Sequence, residues 1–302
     1  MKTYIIILAC IFSIHFVKAQ EVSKSDSLLN AALDEMLFDN DMDLYELFDG
    51  NTNFHFLYFG SLYNSKTFYA GREIIDPLTG GAIHSTSAQL YYFISNGLYF
   101  GTSGAWYSQM DPSFRTAVFT LGYTKGLKKH DFLRYRASYN RFIYLNMGAD
   151  YEPNFYNNFN LGFSLKHKNT GLRFDYAMMT GSDTISHQFS IDLYTRIKLL
   201  DLGGYDRIQF KPEISTYFGS ELVETLLNPD QHNSMFFEPE YGYNEKFGLL
   251  NTQLILPVSI SYKDFDFEIA YIHNFPRTLD PLYYFESVGF VQFSLGYILK
   301  IK

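Results

Sequence analysis

The sequence contains one cysteine and one tryptophan in 302 residues. The cysteine, Cys10, lies in a segment that we predict to be removed, so we expect the mature chain to have no disulfide and no thiolate chemistry. After residue 20 no run approaches about 18 consecutive apolar residues, and the sequence therefore predicts no membrane-spanning helix. The formal net charge is −8, and nothing in the charge distribution suggests nucleic-acid binding, which would need a basic face.

The N-terminus, MKTYIIILACIFSIHFVKAQ, has the pattern of a secretory signal peptide. A basic residue precedes an apolar run from Tyr4 to Val17, and Ala19 is the last residue before the predicted cleavage site. Cys10 leaves a lipoprotein signal open as an alternative. We expect residues 1–19 to be a signal peptide and the mature chain to be exported.

Residues 20–50 differ in composition from the rest of the chain. The stretch 21–50 holds nine acidic residues and one lysine. Apolar residues recur at helical spacing through 25–38, which predicts a short amphipathic helix. We expect 20–50 to be an acidic, helical, periplasmic segment and 51–302 to be a separate β-rich domain.

One acidic motif within this segment, DNDMDLYELFDG at 39–50, has the spacing that opens a calcium-binding loop. However, Leu44 and Gly50 occupy the positions where such a loop has glycine and glutamate. We therefore interpret the motif as a solvated acidic surface and expect no metal site and no cofactor.

From residue 84 onward apolar and polar residues alternate with period two, which indicates β-strands. In 155–167, for example, Phe159, Leu161 and Phe163 fall on one face, and asparagine, glycine and serine fall on the other. A soluble β-sandwich and a transmembrane barrel both produce this alternation. The segment lengths of about 10 residues or more and the charges on the polar face favour the barrel.

We predict an all-β fold, a transmembrane antiparallel up-and-down barrel of about 12 strands, with 10 or 14 as alternatives. The first predicted strand lies somewhere in 53–72, and the others are roughly 84–95, 97–107, 113–124, 132–144, 155–167, 171–180, 185–199, 205–218, 247–262, 264–275 and 284–301. The first of these is long enough to be a bent strand or a small hairpin.

Short and long connections alternate between the predicted strands. Because outer-membrane barrels have short periplasmic turns and long external loops, we expect both termini to be periplasmic. The longest connection, 219–246, would then be an acidic external loop that contains Glu221, Glu224, Asp230, Glu238, Glu240 and Glu245.

In the hairpin at 91–106, Asn96-Gly97 predicts a tight turn. We expect Tyr92, Phe93 and Tyr99 at the inner membrane interface and Trp106 at the outer one.

Several segments together resemble outer-membrane β-barrel proteins of the Bacteroidota. They are the signal ending KAQ, the acidic LLNAALDEMLFDNDMDLYELFD, FYAGRE, GYTKGLKKHDF and the C-terminal FVQFSLGYILKIK. The resemblance implies a barrel in the bacterial outer membrane. It implies no activity and assigns no functional residues.

The polar face of the predicted strands carries the candidate site, a set of residues expected to line the lumen. They are Arg134, Arg136, Asn140, Lys166, Arg173, Asp175, Asp192, Arg196, Lys211, Glu213 and Glu268. Two hypotheses fit them. They form the charged wall of a wet pore, or they form a network that fills and stiffens a closed lumen.

The expected function is a pore or transporter for small polar solutes, and the alternative is a non-conducting barrel that anchors or assembles a complex. A lipid hydrolase is a further alternative, but in His84-Ser85 and Ser186-His187 the two side chains would point to opposite faces of a strand. The expected partners are outer-membrane lipid, the barrel-insertion machinery and small polar solutes, and nucleic acid is not expected.

Overall fold

The structure is a computed structural model. It describes residues 55–69, 72–74, 81–94, 96–110, 112–127, 130–145, 155–182, 185–203, 206–226, 241–280 and 284–301. The predicted signal peptide and the predicted helix at 25–38 lie outside these residues. None of the described residues belongs to a helix that is long and apolar enough to cross a membrane.

Sixteen β-strands occur within the described residues. They are β1 (His55–Asn64), β2 (Thr67–Tyr69), β3 (Arg72–Ile74), β4 (Ser85–Phe93), β5 (Leu98–Tyr107), β6 (Phe114–Leu127), β7 (His130–Tyr144), β8 (Asn157–His167), β9 (Thr170–Thr180), β10 (Ile185–Thr195), β11 (Ile197–Gly203), β12 (Asp206–Phe210), β13 (Glu213–Leu226), β14 (Tyr241–Tyr262), β15 (Phe265–Pro276) and β16 (Val288–Ile301).

Fourteen of these strands form one antiparallel sheet that closes on itself. β1 pairs with β16 in register from His55↔Ile301 to Asn64↔Gln292, and β14 pairs with β15. β10 and β11 are separated only by Arg196, and β12 and β13 are separated only by Lys211-Pro212. Each of these two pairs of segments is therefore a single strand of the wall that is interrupted by a break. Pro212 has no N–H group and so cannot continue the ladder. The wall therefore has 12 strands, and the predicted fold and strand number are confirmed.

The first strand, predicted to lie somewhere in 53–72, is β1, and the residues after it form the separate β2–β3 hairpin. One predicted boundary was wrong. The predicted loop 219–246 is strand at both ends, because β13 and β14 stay paired from Glu213↔Ile255 to Leu226↔Tyr241. The acidic composition of 219–226 therefore did not predict a loop correctly.

The two faces of the wall differ as the alternation predicts. Large apolar side chains are exposed on the outer face, for example Phe119, Leu161 at 58% and Phe163, although such residues are normally buried in a water-soluble protein. The intervening positions are buried and include Thr120, Asn140 and Asn158. Trp106 is exposed on the outer face. An apolar outer face of this kind matches a barrel surrounded by lipid.

An aromatic cluster fills part of the interior beside β1, β4 and β5. It consists of Phe56, Tyr58, Tyr91, Phe93 and Tyr99, all buried. The expectation that Phe93 and Tyr99 lie at the membrane interface was therefore wrong. Both residues fall on the inward side of their strands, where they stack on each other with ring centroids 5.2 Å apart.

Interior tyrosines lie over glycines of neighbouring strands. Tyr99 faces Gly122 directly across the β5–β6 pair, and Tyr91 faces Gly101 across β4–β5. A Cβ atom added to Gly122 or Gly101 would overlap the tyrosine ring. Each glycine therefore provides the space in which a ring lies flat against the wall, an arrangement known to stabilise glycines in sheets.

The turn after β4 has the predicted backbone conformation. Gly97 has a φ of 97°, and its N–H group donates to the carbonyl oxygen of Ile94 at 2.9 Å. The side chain of Asn96 accepts from the N–H group of Leu98 at 3.0 Å. A glycine tolerates the positive φ that the turn requires.

Substitution of Gly122 by alanine tests the interior packing. The new methyl group would displace the fully buried ring of Tyr99, and we expect Gly122→Ala to lower the free energy of unfolding by about 1–3 kcal/mol. Gly126→Ala in the same strand is the matched control, because its nearest neighbour would be Arg134 Cγ at 3.8 Å. Trp106, the only tryptophan, reports urea unfolding by its fluorescence. Equal stability of the two variants would contradict the packing.

Candidate functional site

The charged interior residues lie mainly on four neighbouring strands, β7 to β10, and on β13. Register places Arg136 opposite Gly162, and Gly162 opposite Asp175. The next inward row lies two residues closer to the short turns. In this row Arg134 lies opposite Ser164, and Arg173 lies opposite both Ser164 and Asp192. The site is thus assembled from rows of residues that run across the strands.

Arg136 and Asp175 form an ion pair that crosses the intervening strand β8. Arg136 Nε donates to Asp175 Oδ1 at 2.9 Å, and Arg136 Nη2 contacts the same oxygen. The pair passes over Gly162, where a Cβ atom would overlap both side chains. Glycine at this position therefore permits an ion pair between strands that are not neighbours. Both side chains keep a small part of their surface accessible.

Arg173 is the centre of a buried ionic group. Its Nη2 atom contacts Glu213 Oε1, and its Nε atom lies 3.4 Å from Asp192 Oδ2. Lys211 Nζ lies 3.8 Å from Glu213 Oε2, and Ser215 Oγ donates to Glu213 Oε1 at 3.1 Å. Asp192 is 0% exposed. Charges buried this deeply are stable only when they are paired with opposite charges, so the cations and carboxylates of this group stabilise one another.

Tyr194 is buried and packs against the buried ionic group. Its ring is 5.2 Å from Arg173 Cζ, 5.3 Å from Arg196 Cζ and 5.6 Å from Lys211 Nζ. The ring covers Gly171, the residue directly opposite on β9. Cations are attracted to the face of an aromatic ring, and Tyr194 therefore helps to orient three of them.

A cavity opens beside these residues near the turns that connect β6 to β7 and β8 to β9. It is lined by Thr124, Arg134, Tyr135, Arg136, Gly162, Phe163, Ser164, Lys166, Arg173, Asp175, Tyr194 and Arg196. Five lining residues are cationic and one is anionic. The space open to water is about 40 Å³, which holds about three water molecules.

The remaining residues of the predicted set lie elsewhere. Asn140 is buried on β7, in register with Thr120 and Asn158. Glu268 lies on β15 opposite Ser259 and Ser294, apart from the β7–β10 wall. Of the predicted external acidic residues, Glu221 and Glu224 belong to β13, and Glu245 belongs to β14. Asp230, Glu238 and Glu240 lie outside the described residues.

The Nδ1 atoms of His84 and His187, the histidines of the hydrolase alternative, and of His273 contact a carbonyl oxygen or a tyrosine hydroxyl. His84 Nδ1 lies 2.6 Å from the carbonyl oxygen of Ser65. His187 Nδ1 lies 2.7 Å from the Tyr176 hydroxyl, and His273 Nδ1 lies 3.1 Å from the Tyr271 hydroxyl. These contacts give histidine–tyrosine pairs on the exposed side of β10 and β15.

Three positions of the candidate site were not predicted from the sequence, namely Gly162, Gly171 and Tyr194. The glycines fall on the inward side of strands that also carry charged inward residues, Lys166 on β8 and Arg173 and Asp175 on β9. An inward glycine in a charged strand is a signal that a side chain from a neighbouring strand crosses it. Which side chain does so depends on register, which the sequence alone did not provide.

Replacement of Arg173 tests the buried ionic group. Arg173→Met leaves two buried carboxylates, Asp192 and Glu213, without their shared cation, and we expect a loss of about 3–5 kcal/mol in the free energy of unfolding. Lys198→Ala is the control, because the Lys198–Asp201 pair is about 60% exposed on both sides and such pairs contribute at most about 1 kcal/mol. Tryptophan fluorescence during urea unfolding measures both. Equal losses would show that the group does not stabilise the wall.

Comparison with known proteins gave matches to solved structures only. No family model matches the sequence. No curated protein matches it either. The fold resembles the KdgM porin at 6% identity and a TM-score of 0.42, covering 82% of this chain and 99% of that one. It also resembles the NanC porin at 9% identity and a TM-score of 0.42, covering 82% and 100% of the two chains. An outer membrane channel from Pseudomonas putida has 9% identity and a TM-score of 0.45, with 82% and 96% covered. At these identities and scores the matches carry no argument about activity.

Proposed function

We propose that this protein is an outer-membrane pore that allows small polar solutes to pass through its barrel. The observation that carries the proposal is a closed 12-strand wall with an apolar outer face and a charged inner face. Large apolar side chains are exposed on most strands of the wall, which is unusual for a water-soluble protein. A barrel of 12 strands is intermediate between small barrels filled by side chains and large barrels with open channels.

The outer face supports a location in lipid. Phe119, Leu161, Phe163, Leu193 and Leu295 are all strongly exposed, and keeping a side chain of this kind in water costs about 1.5–3 kcal/mol relative to burial. Together with the predicted signal peptide, this belt favours export and insertion into the outer membrane. The lipid and the insertion machinery are then the partners that the fold requires.

The orientation is part of the proposal. His55, where β1 begins, pairs with Ile301, where β16 ends, at the barrel end that carries the short turns. In outer-membrane barrels the short turns are periplasmic. Lys168 and Lys263 lie in those turns, and Lys300 lies near them, where they can meet phospholipid headgroups. We propose that this end, both termini and the acidic segment 20–50 face the periplasm.

A second function is favoured by the filling of the interior. Asp192, Tyr99 and Asn274 are 0% exposed, and the aromatic cluster occupies the space beside β1, β4 and β5. These features support a non-conducting barrel that acts as an anchor or as an assembly component. The two functions differ in whether solutes cross a membrane that contains the protein.

Conductance of the purified full chain in planar bilayers distinguishes the two functions. A pore predicts discrete channel events. Tyr194→Trp adds bulk inside the barrel and should reduce the single-channel conductance, whereas Leu193→Trp adds the same type of ring on the outer face and should not. The absence of events, both with and without residues 21–50, would contradict the pore. Equal conductance of the two variants would show that the current does not pass beside Tyr194.

A further inference from the structure

Two histidine–tyrosine pairs lie on the outer face of the wall. The hydroxyl group of Tyr176 lies 2.7 Å from His187 Nδ1, and the hydroxyl group of Tyr271 lies 3.1 Å from His273 Nδ1. The two rings of each pair also pack together, with centroids 6.0 Å and 6.2 Å apart. Both contacts are exposed, so each pair places polar atoms among the exposed apolar side chains of this face.

Both pairs lie at a similar height, near the end of the barrel opposite the short turns. His187 is eight residue steps from Thr195, where the β9–β10 pairing ends at the short-turn side, and His273 is eight steps from Phe265 on β15. Eight steps are about 27 Å along a strand, which a tilt of about 40° reduces to about 21 Å of height. The apolar band of an outer-membrane barrel is about 25 Å tall, so the pairs lie close to its upper boundary.

The outward residues between each pair and the short turns are apolar. Leu193 on β10 and Phe267 and Ile269 on β15 are exposed examples. Polar groups are unfavourable in the hydrocarbon region of a bilayer, and tyrosine is enriched where the hydrocarbon meets the headgroups. The height of the two pairs is therefore the height expected of lipid headgroups.

The local structure forms the two pairs in different ways. Tyr271 and His273 belong to one strand, and a Cβ atom added to Gly289, which lies opposite His273 on β16, would overlap the Tyr271 hydroxyl group. The glycine therefore leaves the space through which Tyr271 reaches His273. The other pair crosses two strands, because His187 on β10 is a diagonal neighbour of Tyr176 on β9.

Each pair retains one hydrogen-bond donor that the chain does not use. A neutral histidine has one N–H group and a tyrosine has one O–H group. When the tyrosine hydroxyl donates to Nδ1, the histidine proton is on Nε2, and when Nδ1 donates to the tyrosine oxygen, the hydroxyl proton is left over. Within the described residues these four side chains make no other hydrogen bond. In either arrangement one donor is available to a group outside the chain.

His84, at the same end of the barrel, provides a contrast. Its ring stacks on Tyr63 with centroids 6.3 Å apart. Its Nδ1 atom lies 2.6 Å from the carbonyl oxygen of Ser65, which can only accept, so the ring proton is on Nδ1. A neutral His84 therefore has no proton on Nε2 and presents no donor to the surroundings. Stacking on tyrosine alone does not produce the donor pair.

We propose that each histidine–tyrosine pair binds the phosphate group of an outer-leaflet lipid, to which the pair donates a hydrogen bond. The inference rests on the proposed function, because lipid covers this face only when the barrel lies in the outer membrane. Hydrogen bonds to charged oxygens are the stronger ones. Phe275 lies 4.7 Å from His273 between ring centroids, and Ile185 is exposed near His187. A molecule at either pair thus meets apolar side chains as well as a donor, which suits a lipid.

Native mass spectrometry of the detergent-solubilised full chain tests the proposal, with dioleoyl phosphatidic acid as the probe. Dioleoylglycerol, which has the same acyl chains and no phosphate, is the control lipid. His187→Phe combined with His273→Phe keeps an aromatic ring at both places and removes the donors. We expect this variant to bind phosphatidic acid about tenfold more weakly, as the loss of one charge-assisted hydrogen bond in each site implies. Its binding of dioleoylglycerol should be unchanged.

Two further variants keep the test decisive. Tyr176→Phe combined with Tyr271→Phe removes only the two hydroxyl groups and should also weaken the binding of phosphatidic acid. His167→Phe is the matched control, because His167 is an exposed outward histidine at the short-turn end of β8 and its loss should leave binding unchanged. Equal weakening by His167→Phe, unchanged binding in both double variants, or equal affinity of the unmodified chain for the two lipids would overturn the proposal.

Channel conductance separates this inference from the pore. The double histidine variant should conduct as the unmodified chain does, because both histidines lie outside the barrel interior. Weakened lipid binding by this variant, in a chain that never forms channels, would support the donor pairs and contradict the pore. Channel events from a chain whose phosphatidic acid binding does not depend on His187 and His273 would support the pore and contradict the donor pairs.

Discussion

Hydrogen bonding between the first and last strands of the wall is the interaction on which the rest of this structure depends. Backbone N–H and C=O groups have no water to bond with inside a bilayer, so a sheet can span it only if no edge remains. The pairing of β1 with β16 along the whole of β1 removes that edge. Once the sheet is closed, each strand has one face toward lipid and one toward the interior, and the chemistry of every residue follows from its place in the alternation.

The enclosed space is too small for every inward residue to be large, and the sequence meets this limit with inward glycines. Gly122 and Gly171 each accept a tyrosine ring from a neighbouring strand, and Gly162 accepts an ion pair. Tyr194 connects the two kinds of arrangement, because it covers Gly171 and also orients Arg173 and Arg196. The same inward residues therefore determine both the packing and the placement of charge in the interior.

Period-two alternation predicted the fold, the strand number and most strand positions, because lipid on one side enforces a strict apolar pattern. It was less reliable where that constraint is absent, as in the ends of β13 and β14, which stay paired beyond the predicted boundaries. The candidate residues were selected from the polar side of the strands, but their contacts depend on register across three strands. Arg136 and Asp175 are 39 positions apart, and nothing in either local segment predicts that they meet over Gly162.

A disulfide between the first and last strands tests closure most directly. Ser61 and Leu295 are directly opposite across β1 and β16, within about the 4.4–6.8 Å that a disulfide allows between Cα atoms. Cys10 is the only native cysteine, so Ser61→Cys with Leu295→Cys can be oxidised without competition in a Cys10→Ser background. We predict an intramolecular crosslink that changes the mobility of the boiled protein. Ser61→Cys with Leu299→Cys, about 13 Å out of register, should not crosslink. Failure of the first pair, or equal crosslinking of both, would contradict the closed barrel.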